Sequence, residues 1–136
     1  MISDVVVIDN LYNFIKGSAL EQAVSGVLCK TIRPKDSEKE DIVISVISNM
    51  SAQIQEVYAN VNIYVKDLTI TKDGHSQNEM DIPRCRVLCG LAFDLLETGI
   101  GDSFRFEVES QRVLAIDEMQ THVINNRILY KQVNEK

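Results

Sequence analysis

The sequence predicts an α+β fold in a single domain: an antiparallel or mixed sheet with a long central strand, N-terminal helices, and one strong helix (about 82–98) packed on the sheet. Three observations predict it. From Val57 onward every second residue is small or apolar (Val57, Ala59, Val61, Ile63, Val65), and Tyr58, Asn60, Asn62, Tyr64 and Lys66 lie between them. Side chains on a strand alternate between faces, so this strand has one greasy and one polar face. Behind Asp81-Ile82-Pro83, apolar residues recur instead at helical spacing: Val87, Leu88, Leu91, Ala92, Leu95 and Leu96. The element order is helices, strands, helix, strands, without the βαβ alternation of a parallel sheet.

Along the chain, Ser3 or Asp4 caps a first helix whose apolar face is Val5, Ile8, Leu11, Tyr12 and Ile15, ending near Lys16-Gly17. Ser18-Ala19-Leu20-Glu21 is a capping box, so a short second helix should run to about Ser25 with Gly26 as its C-terminal stop. Val27 to Ile32 is a short strand. Arg33 to Asp41 is a charged connection, too polar to be buried. Ile42 to Ile47 is apolar nearly throughout, as in a strand covered on both faces. Asn49-Met50-Ser51 is a turn, and the long strand, Ala52 to Lys66, completes an antiparallel hairpin at roughly twice the usual strand length of 5–6 residues. Its apolar face is expected against Leu88, Leu91 and Leu95.

Thr71 to Met80 has a turn at Asp73-Gly74 but no periodicity, and is expected to be a mobile loop. Asp81 caps the strong helix, with Pro83 in its first turn, and Glu97 to Gly101 ends it. Phe104, Phe106 and Val108 alternate with charged residues in a compact strand, and Val113 to Ile116 is another short one. The last strand, Thr121 to Val133, has Ile124, Ile128 and Tyr130 in one phase and Val123, Leu129 and Val133 in the other, which places a bulge or bend near Asn125-Asn126-Arg127.

Composition bounds the function. A chain of 136 residues, 45% hydrophobic and 25% charged, can bury one continuous core. A net charge of -6 argues against coating nucleic-acid phosphates, which takes clustered Lys and Arg. No apolar run approaches membrane-spanning length, and Met1-Ile2-Ser3-Asp4 lacks the basic region of a secretory signal. The expected setting is reducing and intracellular.

Chemistry-bearing clusters are sparse. Cys85 and Cys89 share a helix face, but a metal site needs two further ligands, and Cys29, His75 and His122 stand at no zinc spacing. Both cysteines are expected to be reduced, metal-free core residues. Neither histidine adjoins a nucleophile motif, and Gly99-Ile100-Gly101 follows a helix where a phosphate-cradling loop would precede one. Glu107 and Glu109 could hold a cation, or simply be the wet face of a strand whose other side is Phe104, Phe106 and Val108. Neither catalysis, metal nor cofactor is expected.

The candidates for assembly contacts are the polar strand face (Tyr58, Asn60, Asn62, Tyr64), the charged connection (Lys35, Asp36, Glu38, Lys39) and the loop residues Asp73 and His75. Tyr and Asn suit protein contacts; the same face could equally be an ordinary wet surface, or one capped by the helix that starts at Asp81.

In order, the chain resembles the tail terminator (tail-completion, head-tail joining) proteins of long-tailed phages and prophages. The resemblance lies in the first helix D-V-V-V-I-D-N-L-Y-N-F-I-K, the second helical piece ending at Gly26, the Arg33-Pro34 turn and the Glu40 to Ile44 strand. It continues through N-V-N-I-Y-V-K-D (Asn60 to Asp67), the helix Arg84 to Glu97 and the final T-H-V-I-N-N-R-I-L-Y (Thr121 to Tyr130). It implies a non-catalytic structural protein that forms a ring, commonly a hexamer, capping the tail tube and facing the head connector. Its partners would be itself, tail-tube and head-connector proteins, with neither membrane nor sequence-specific nucleic acid. Its place would be the virion tail or the bacterial host cytoplasm. The competing expectations are a small intracellular ligand-binding or regulatory α+β module without catalytic activity, and a metal-dependent hydrolase.

Overall fold

The structure, a computed structural model, describes residues 1–133. Helix α1 (Asp4–Ile15) is capped by Ser3, whose hydroxyl accepts from the Val6 amide, and buries Val7, Ile8, Leu11 and Ile15. In α2 (Ala19–Ala23) the Ser18 hydroxyl accepts from the Glu21 amide, while the Glu21 carboxylate reaches one residue past the box to the Gly17 amide at 2.7 Å. This helix ends at Ala23, earlier than expected.

The strands β1 (Leu28–Lys30), β2 (Ile42–Met50) and β3 (Ile54–Lys66) follow. After the hairpin β4 (Leu68–Lys72) and β5 (His75–Glu79) comes α3 (Ile82–Leu96), capped by the Asp81 carboxylate on the Arg84 amide. Then come β6 (Thr98–Ile100), β7 (Phe104–Ile116), a 3-10 turn (Asp117–Met119) and β8 (Thr121–Val133). Six strands form one mixed sheet in the order β1-β2-β3-β8-β7-β6, parallel only between β1 and β2; β4 and β5 pair separately. The α+β expectation holds, and β3 sits inside the sheet between β2 and β8.

All three helices lie on one side. Val57, Ala59, Val61, Ile63 and Val65 are all buried there, as their alternation predicts. Helix α1 packs over β1 and β2, and α3 over β6, β7 and β8. The buried stripe of α3 is Cys85, Leu88, Ala92 and Leu96; Leu91 and Leu95 are half-buried at its margin and Val87 is exposed. The stripe is thus rotated toward the N-terminal cysteine, because the helix lies across the β7 half of the sheet. Phe14 meets Phe106 edge-on at 4.8 Å, and Phe104 stacks on Tyr130 at 5.0 Å. Asn126, Gln55 and the Tyr130 hydroxyl are hydrogen-bonded inside the core. The Asn10 amide donates to the Tyr130 hydroxyl at 2.8 Å, and the buried Asn126 donates to the Val61 carbonyl and accepts from Gln111. Gln55, fully buried, both donates to and accepts from the Ile2 backbone, fastening Ile2 to the start of β3. Among the described residues no helix is long and apolar enough to cross a membrane.

Several expectations are corrected. Thr71 to Met80 is not a loop but most of a hairpin. Asn49 and Met50 belong to β2, and that strand is covered on both faces only over Ile42–Ile44. Residues 98–100 form the edge strand β6 instead of merely ending the helix. The two strands expected between Phe104 and Ile116 are one, β7, with a register shift between Val108 and Ser110. The bend expected near Asn125-Asn126-Arg127 is absent: β8 pairs with β3 without a break from Thr121 to Val133. Its two apolar phases are its two faces, and Asn126 occupies the core phase as a buried amide.

Candidate assembly surface

The sheet face away from the helices is open, and the outward residues of β3 run down its middle. Across β8 and β7 the register places Tyr64 beside Val123 and Leu114, Asn62 beside Asn125 and Arg112, and Asn60 beside Arg127 and Ser110. The Asn125 amide donates to Asn60 Oδ1 at 3.0 Å and to Asn62 Oδ1 at 2.7 Å. The Arg127 guanidinium lies 4.8 Å from the Tyr58 ring centre, with its Nε 3.1 Å from Glu109. Tyr58, Asn60, Asn62 and Tyr64 are therefore half-buried members of a tied polar layer, and the helix that begins at Asp81 lies on the opposite face. Asn125, Arg127 and Arg112, which complete this layer, were missed by the sequence analysis. The two-residue spacing of Asn125 and Arg127 along β8, a polar interruption of an otherwise apolar strand, was the available clue.

The charged connection ends in a buried anchor, against expectation. Asp41 is only 1% exposed. Its carboxylate accepts from the Val27 amide at 3.0 Å, Arg33 Nε at 2.9 Å and the Ser37 hydroxyl at 2.6 Å. Burial pushes this carboxyl up, but the hydrogen bonds from Ser37, Val27 and Arg33, with the Arg33 charge, outweigh it and hold it below its ordinary value. Burial likewise opposes ionisation of Glu40, and Arg84, gripping it by two contacts at 2.7 Å, prevails with help from the Ser25 amide. Arg84 also donates to the Ala23 carbonyl, so the end of α2, the connection and the start of α3 are laced together. The anchor explains Gly26. A Cβ there would lie 2.2 Å from Asp41 Oδ1 and 2.6 Å from the Glu40 carbonyl oxygen, so glycine is required by close approach, not as a helix stop.

The anchored connection reaches the open face. The Arg33 guanidinium lies 4.4 Å from the Tyr64 ring centre, and Lys66 pairs with Glu38 at 2.5 Å. Lys35, Asp36 and Lys39 cover the outer turn of the connection; Lys35 and Asp36 are exposed, and the Lys39 carbonyl accepts from Arg33.

From the same end of β3 springs the hairpin. Asp73 (φ 52°) and Gly74 (φ 79°) form its two-residue turn, with the left-handed backbone that a tight hairpin needs. Thr69 bonds Asn78 and Thr71 bonds Ser76 across one face, and Leu68 with Glu79 and Ile70 with Gln77 share the other. Nearly every residue is exposed. Five residues per strand carry the tip about 17 Å along the arm, so Asp73 and His75 stand far from the other candidates. The structure thus joins the connection to Tyr64 and Lys66, and separates the hairpin tip.

Burial, with the nearby Cys89, Asp81, Asp67 and Glu40, pushes the Cys85 thiol up to about 11, so it is protonated at neutral pH. His122 Nδ1 pairs with Asp67 at 2.5 Å. Among the described residues no three His, Cys, Asp or Glu side chains converge as a metal site. Compared with known proteins, the chain matches no family model and no curated protein.

Proposed function

We propose that this chain is a structural, non-catalytic component of a phage or prophage tail: a ring-forming tail terminator or head-tail joining protein that caps the tail tube. It acts by assembly, with other copies of itself, tail-tube subunits and a head connector as partners, in the virion tail or the host cytoplasm. The observation that carries this reading is the β4–β5 arm. A lone two-stranded hairpin is marginal in water, and among the described residues this one has neither core beneath it nor a third strand beside it. Such an arm gains its stability from a neighbour. The open sheet face supports the same reading, since its ordered Tyr, Asn and Arg groups are suited to contact and carry no reactive pair.

The test combines light scattering with negative-stain electron microscopy over a wide concentration range, then microscopy of tail tubes with and without the protein. Rings, and tubes that end properly only in its presence, are expected. Replacing Lys35, Asp36, Glu38 and Lys39 with Ala, or deleting His75 to Asn78, should impair capping and leave the melting temperature unchanged. Tubes that end and join heads normally without the protein would refute the reading. A second reading, a small ligand-binding or regulatory module, is favoured by a cleft of about 560 Å³ lined by Ile54, Ile100, Phe104, Arg105, Lys131 and Val133. A monomer whose melting temperature rises with a small apolar anion would establish that reading instead.

A further inference from the structure

Sheet edges present unpaired backbone groups, and folded proteins blunt them with bulges, charges or covering elements. Two stretches of this sheet run past their short outer neighbours. β2 continues beyond β1 from Ser45 to Met50, but a register shift at Ile47 breaks the row, and Asn49 is tied to Ile2 and Asp4. β7 continues beyond β6, and its bulge falls before Ser110, so Ser110 to Ile116 is regular on β8 and, among the described residues, pairs with no strand on its outer side. Val113 and Leu114 are exposed there on opposite faces. This is an unprotected edge.

We infer that the β5 edge of the arm of one copy adds as an antiparallel strand to Ser110–Ile116 of the next, a contact that rests on the ring reading and gives it a mechanism. Charge selects the direction and register. With Glu79 opposite Arg112, Gln77 falls opposite Leu114 and His75 opposite Ile116. Lys72 at the tip then approaches the exposed Asp117 and Glu118. Ile70, paired with Gln77, extends the Leu114 row on the same face. A parallel strand would instead bring Glu79 toward Asp117, setting like charges together, and would take it away from Arg112. Donor and acceptor are different patches, and among the described residues the arm pairs with no strand of the six-stranded sheet, so the contact is head-to-tail, the kind that closes rings.

Charge exchange tests it by sedimentation velocity on the full chain. Glu79→Arg and Arg112→Glu should each weaken self-association about tenfold, and the double variant should recover it. Mixing Asn78→Cys and Val113→Cys chains should give a reducible mixed dimer joined at those positions. If the wild type assembles and the single variants associate equally well, or the double variant fails to recover, the strand pairing is wrong and the ring reading stands. If the wild type stays monomeric at the highest soluble concentration, the strand pairing is wrong, and the tail-tube microscopy decides the ring reading separately.

Discussion

The connection 31–41 and the hairpin 68–79 are both polar, both lack hydrophobic periodicity, and are ordered in opposite ways. The connection is organised from inside: Asp41, buried, gathers Val27, Arg33 and Ser37, and the chain between them closes around it. The hairpin is organised by its own backbone ladder and turn, with its side chains in water. A buried ion pair commits a segment to the body of the protein, because losing either charge strands the other. A bare ladder commits it to nothing, and leaves its edges free for another chain.

The two segments should differ most at Asp41. Asp41→Ala leaves the Arg33 guanidinium without its carboxylate and should cost about 3–5 kcal/mol in urea unfolding; a loss under about 1 kcal/mol would mean that the connection is not anchored there. Acid should act in the same direction. Glu40 and Asp41 have folded-state pKa values below the unfolded ones, so the unfolded chain binds protons first. The stability they add is complete above about pH 5 and is lost as the pH falls through and below the ordinary carboxylate range. The urea midpoint should drop over that window, and drop less steeply in Asp41→Asn.

The two glycines sharpen the contrast. Gly26→Ala must displace Asp41 or the Glu40 backbone and should cost about 1–3 kcal/mol of global stability. Gly74→Ala has open space around it and suffers only from its left-handed backbone, a local penalty of about 1–2 kcal/mol. Hydrogen exchange should therefore quicken within 68–79 while the melting temperature holds. The smallest effect is the most telling. Replacing Thr69–Asn78 by Gly-Gly should change global unfolding by less than about 0.5 kcal/mol, because no core residue goes with it.

How far the sequence spoke follows the same division. The buried face of β3 was legible residue by residue, since apolar and polar positions alternate without exception from Val57 to Lys66. The hairpin was not, because with both faces wet Thr, Ser, Gln and Asn give no contrast to read. Its Asp73-Gly74 turn was the one mark of it, and that dipeptide between strands is a strong hairpin sign. A buried aspartate looks like any other in a run of charges, so the anchor was invisible. Of the candidate surface, the β3 residues were found because they share a strand with the core; Asn125, Arg127 and Arg112 were missed because pairing across strands is a property of register.

Tyr130 gives the molecule an internal gauge. The chain has no tryptophan, so its near-ultraviolet signal comes chiefly from four tyrosines. One of them is sealed in the core against Phe104, with its hydroxyl held by Asn10. Burial raises its pKa, outweighing the Asn10 hydrogen bond that lowers it, so the folded phenol keeps its proton beyond the ordinary value of about 10. The unfolded chain gives up that proton first, and this share of stability fades as alkali rises toward the folded pKa. The late phenolate absorbance in an alkaline titration is thus a clock on the opening of the interior, readable without a label.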